Sequence, residues 1–106
     1  MAEDKIAMVL NKVIDATDQR KLKWSVVDPN SFKTIVADKT IILKSSVLGA
    51  YRFLVFDKEI QLGGINSVAD KDGSVIQIRL KRLFKTVFNQ VYRVDESFDE
   101  IINSLS

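Results

Sequence analysis

The sequence predicts a single α+β domain over residues 1–106: an N-terminal helix, an antiparallel β-meander of four to five strands, and two C-terminal helices packed on one face of the sheet. Three observations support this prediction. Apolar residues recur with helical spacing near both ends of the chain, they recur with strand spacing in the middle, and the breaks between the central runs are too short for parallel crossovers. Helices that cover one face of an antiparallel sheet form a common two-layer architecture.

The first helix is predicted from about Glu3 to Lys21. Residues at spacings of three and four share one helix face, and six positions follow that rule: Ile6, Val9, Leu10, Val13, Ile14 and Thr17. An amphipathic helix is stabilised mainly by burying such a face, so the segment that follows is its expected partner.

The strands are predicted between Trp24 and about Ile65. The expected runs are 24–27, 32–37, 40–47, 51–56 and 59–65, separated by turn residues at 28–31, 38–39, 48–50 and 57–58. The run Tyr51–Phe56 is apolar on both faces except at Arg52, as expected of an inner strand. The first and last runs, Trp24–Val27 and Ile60–Ile65, are then the edge strands, which can pair with another chain.

A second helix is predicted from Ser74 to Arg93, after a polar break at Asp70–Gly73. Its core-facing stripe consists of Ile76, Leu80, Leu83, Phe84, Val87 and Val91. Val75–Leu80 also alternates like a strand, but the helical stripe continues for four further turns, which favours a helix. A short third helix follows, with Asp95 as the expected N-cap and with Phe98, Ile101, Ile102 and Leu105 on its apolar face.

Composition limits the chemistry that the chain can perform. It has no cysteine and no histidine, so thiolate metal sites, disulfides and the commonest general bases are excluded. Asp70–Gly73 resembles the start of a calcium loop, but Lys81 occupies the twelfth position, where an acidic ligand is required. We expect no cofactor, no metal and no catalytic residue. A hydrolase that uses carboxylates alone would need Asp57 and Glu59 to line a cleft.

The absence of cysteine also favours a reducing compartment, and no signal-type or membrane-spanning apolar run is present. We therefore expect a cytoplasmic protein that does not enter a membrane. The net charge of +2 is too small to indicate a nucleic-acid partner by itself.

The second helix carries the strongest binding signal. Its predicted outer face combines basic and apolar side chains, and we take these as candidate partner-binding residues: Ile78, Arg79, Lys81, Arg82, Lys85, Tyr92 and Arg93. Basic residues mixed with aromatic ones suit either nucleic acid or an acidic protein. The competing interpretation is a solvated face whose charges pair with the four acids of the third helix, Asp95, Glu96, Asp99 and Glu100.

The favoured function is a non-enzymatic protein-interaction or accessory module, with an unidentified protein partner or self-association. Missing catalytic chemistry, small size and available sheet edges support it. The alternative is a nucleic-acid-binding protein that uses the basic face of the helix at about 74–93, whose binding would weaken steeply with salt.

Overall fold

A computed structural model of the chain describes residues 2–46, 49–67 and 75–106. The elements in chain order are α1 (Ala2–Asp18), β1 (Ser25–Asp28), β2 (Ser31–Val36), β3 (Lys39–Ser45), β4 (Tyr51–Asp57), β5 (Ile60–Ser67), α2 (Val75–Tyr92) and α3 (Val94–Leu105). The five strands form one antiparallel sheet in sequence order, so β1 and β5 are its edges. The predicted α+β class, the meander and the order of the helices are confirmed.

Two of the hairpin turns, β2–β3 and β4–β5, are each shifted by one residue from the predicted position. Val36 pairs with Lys39, so the β2–β3 turn consists of Ala37 and Asp38 rather than Asp38 and Lys39. Both turn residues have positive φ, 52° and 64°, as a two-residue turn that matches the twist of the strands requires. In the same way the pairing of Asp57 with Ile60 makes Lys58–Glu59 the second turn.

The predicted turn at 28–31 is confirmed at its centre, 29–30, where the Asp28 carboxylate accepts a hydrogen bond from the Asn30 N–H at 2.9 Å; Asp28 and Ser31 themselves pair as strand residues. The predicted third strand was too long, since β3 ends at Ser45 and residues 47–48 lie outside the described part. Gly49 has φ 80° between β3 and β4, where the sequence predicts a turn and where glycine tolerates this conformation.

The main core lies between one face of the sheet and the helices α1 and α2. Its fully buried members include Phe32, Leu43 and Phe53 from the sheet, with Leu80 and Val87 from α2. The predicted stripe of α1 is confirmed from Leu10 onward, where Leu10, Val13, Ile14 and Thr17 are buried, whereas Val9 is 38% exposed. We call this side of the sheet the covered face.

A polar contact fixes α1 against the chain that follows it. The Trp24 indole N–H donates to the Thr17 hydroxyl at 3.1 Å, and Thr17 is fully buried. The Gln90 amide of α2 donates to the Thr17 backbone carbonyl at 2.9 Å. Thr17, predicted only as part of an apolar stripe, therefore connects α1, the start of the sheet and α2.

The opposite side of the sheet, which we call the open face, has neither α1 nor α2 on it. Register and strand alternation place Lys33, Ile35, Lys44, Arg52 and Leu54 there. Leu54 is nevertheless only 5% exposed. Gly64 lies opposite Leu54, and a Cβ atom built on Gly64 would lie 2.8 Å from a Leu54 methyl carbon.

The two C-terminal helices meet at a single residue. Residues 75–80 are helical, so the alternative strand is excluded over that range, while Ser74 and the break at 70–73 lie outside the described residues. The prediction that Asp95 caps α3 is wrong. Arg93 occupies the N-cap position with φ 53°. The Asp95 N–H donates to the side-chain oxygen of Asn89 in α2, because the abrupt junction brings the end of α2 beside the start of α3.

Within the described ranges, no helix combines the length and apolar character needed to cross a bilayer.

Candidate protein-interaction surfaces

The basic side of α2 is partly engaged within the chain. Arg79 donates to the Asn11 side chain at 2.8 Å, and Arg82 forms an ion pair with Asp18 at 2.8 Å. Arg93 pairs with Glu96. The predicted pairing with the acids of α3 therefore holds for Arg93 alone among these three arginines, whereas the other two contact α1.

The remaining predicted residues of α2 lie on a different part of its surface. Lys81 and Lys85 are exposed, and among the described residues neither forms an ion pair. Ile78 is 58% exposed. The Tyr92 ring packs against Phe88, with centroids 4.7 Å apart, and so extends the aromatic contacts of the core. The structure thus divides the seven predicted residues into three arginines that contact α1 or α3, three residues that point outward, and Tyr92, which joins the aromatic contacts.

The carboxylates considered for catalysis lie at the surface. Glu59 is exposed in the β4–β5 turn, and the half-exposed Asp57 side chain lies 3.9 Å from the Lys39 ammonium group. In the described part of the chain, no three acidic side chains converge on a potential metal position.

An uncovered apolar region runs along α1 on the side away from α2. Two depressions of about 410 and 390 Å³ share Val9 in their linings. The first lies beside Ile6 over Val55 and Gly63, and the second extends to Ala16. Because Lys5, Val9, Lys12 and Ala16 recur every three or four residues, the two depressions follow one side of the helix. We call them together the α1 groove.

Strand ends and helix side chains form the walls of the α1 groove. Val36 and Ile41, at the β2–β3 hairpin, contribute to the second depression, and Leu62 of β5 contributes to the first. Several apolar side chains are well exposed here, including Met8 at 62% and Leu62 at 55%. Among the described helices, only α1 lines this hairpin end of the covered face.

The charged side chains that line the α1 groove have one sign. Lys5 and Lys12 border its two halves, and the described lining contains no acidic residue. An apolar surface bordered by lysines suits an apolar segment that carries acidic side chains.

A second unpartnered surface is α3 itself. This 12-residue helix contains no buried residue. Because the segment is helical, the four predicted apolar residues share one side of it. That side is exposed to solvent, with Phe98 57% exposed, Ile101 54%, Ile102 59% and Leu105 83%. A contiguous patch of large, exposed apolar side chains normally marks an interaction site.

Sequence reasoning missed the α1 groove. One signal was available, because Met8 and Ala16 widen the apolar arc of α1 beyond what a single contact with the sheet requires. The contributions of Val36 and Leu62 had no comparable signal, since each lies on a strand far from α1 along the chain.

Comparison of the chain with protein-family models, with curated proteins and with solved structures finds no match.

Proposed function

We propose that this chain is a non-enzymatic protein-interaction module that binds its partner in the α1 groove. The observation that carries the proposal is the groove itself: apolar walls, exposed side chains such as Met8 and Leu62, and lysines at its border. Contiguous exposed apolar surface with a polar rim is characteristic of protein-binding sites.

The nucleic-acid alternative receives less support from the side-chain contacts. Arg79 and Arg82 each donate a hydrogen bond to a side chain of α1, and the Asp18 carboxylate partly neutralises the charge of Arg82. Lys81 and Lys85 remain as the outward charges of α2, and two phosphate contacts provide little of the electrostatic affinity on which such binding depends.

A matched pair of variants tests the proposal. Met8→Glu places a carboxylate in the α1 groove, whereas Ile35→Glu places one on the open face at nearly the same exposure, 62% against 66%. Both positions are mostly solvated, so both variants should fold. Tagged wild-type and variant proteins are used to capture partners from native lysate, with and without nuclease, and the recovered proteins are quantified by mass spectrometry.

We expect wild type and Ile35→Glu to capture a protein even after nuclease treatment, and Met8→Glu to lose it. The captured protein can be a different protein or an untagged copy of this chain. Equal recovery with both variants, or no recovery with wild type, would refute binding in the groove. Recovery of nucleic acid that falls with Lys81→Glu and Lys85→Glu would support the alternative instead.

A further inference from the structure

The charges of α3 oppose those of the α1 groove. The helix contains four acidic residues and no basic one. Two of the acids are engaged locally, since Asp95 accepts from Asn89 and Glu96 pairs with Arg93. Among the described residues, Asp99 and Glu100 have neither a hydrogen bond nor an ion pair. At 100° per residue, Asp95 and Asp99 flank the apolar stripe on one side.

The dimensions of the two surfaces also agree. Helix α3 and the part of α1 that borders the groove, from Lys5 to Ala16, each contain 12 residues and are each about 18 Å long. Each depression has a volume sufficient for large apolar side chains, at about 410 and 390 Å³. An apolar helix with acidic residues along one flank thus matches an apolar groove with lysines at its border in length, polarity and charge.

We propose that α3 of a second copy of this chain occupies the α1 groove, and that two copies exchange their α3 helices reciprocally. The inference rests on the proposed function and names its partner. Each copy has one α3 and one groove, so a two-fold dimer satisfies both surfaces of both copies and leaves neither exposed.

Within one chain the two surfaces are separate. Helix α3 continues from the end of α2, beside Asn89 and Arg20, whereas the groove lies on the side of α1 that faces away from α2. The stripe of α3, with Leu105 83% exposed, is correspondingly unoccupied in the single chain.

Charge reversal with rescue tests the pairing. Asp99→Lys with Glu100→Lys makes α3 positive, and Lys5→Glu with Lys12→Glu makes the groove border negative. All four side chains are exposed, so folding, checked by circular dichroism, should be retained. The matched control, Lys33→Glu with Lys44→Glu, reverses two lysines on the open face.

Dimerisation is measured by sedimentation velocity at low salt and by native mass spectrometry. We expect each reversed protein to raise the dimer dissociation constant by about 100-fold, because like charges then face each other, while the control dimerises as wild type does. An equimolar mixture of the two reversed proteins should restore the dimer as a heterodimer, since their opposite changes compensate.

A dimer that survives both reversals would overturn the assignment, as would reversed proteins that fail to combine on mixing. A wild-type chain that is monomeric at all concentrations would overturn it too. The same holds if, in that monomer, α3 is protected from hydrogen exchange by its own chain. If the monomeric wild-type chain still captures another protein from lysate, and the Met8→Glu variant does not, the proposed function stands. If it captures none, both proposals fall.

Discussion

The contact between Trp24 and Thr17 allows a stability prediction to be worked through. Thr17→Val keeps a side chain of nearly the same shape but removes the hydroxyl that accepts the indole N–H at 3.1 Å. Trp24 is 7% exposed and Thr17 is fully buried, so water has little access to the N–H that is left without a partner. An unsatisfied buried donor costs about 1–3 kcal/mol, and we expect a loss of about 2 kcal/mol.

For a domain of 106 residues this loss corresponds to a decrease in Tm of about 8 °C. Thermal and urea unfolding followed by far-UV circular dichroism would measure it, because that signal does not depend on the single tryptophan. The Gln90 bond to the Thr17 carbonyl uses the backbone and should remain in the variant.

A double-mutant cycle with Trp24→Phe separates the hydrogen bond from packing. In that background no indole N–H remains to be orphaned, so Thr17→Val should cost less than about 0.5 kcal/mol. The reasoning fails if Thr17→Val lowers Tm by less than about 2 °C in the wild-type chain, or if its cost is the same in both backgrounds.

Three further changes have expected outcomes. Gly64→Ala should cost about 1–2 kcal/mol in urea unfolding, since its Cβ would lie 2.8 Å from a methyl carbon of the buried Leu54; a neutral result would mean that Leu54 moves freely. Ala37→Asn should stabilise by about 0.5 kcal/mol, because asparagine tolerates the φ of 52° better than alanine does, and a lower Tm would contradict the assigned turn. Leu83→Ala, at a side chain 1% exposed, should cost about 3 kcal/mol by the same measurement, and a loss under about 1 kcal/mol would contradict its place in the core.

The sequence by itself determined the class and order of the elements, because hydrophobic periodicity is a local property. The stripe through Leu80, Leu83 and Val87 identified α2 and its buried side, and turn residues such as Asp28 and Pro29 identified the start of the meander. Turn positions differed by one residue at Ala37–Asp38, since strand register is decided by pairing across the sheet.

The candidate surfaces depended on tertiary structure. The apolar stripe of Phe98 and Leu105 was predicted correctly, but sequence cannot show whether a neighbouring element covers it, and no element in the described ranges does. The α1 groove brings Met8 of the helix together with Val36 and Leu62 of separate strands, which are far apart along the chain. Periodicity identifies the face of an element that should be buried, whereas packing decides which of those faces the fold leaves uncovered.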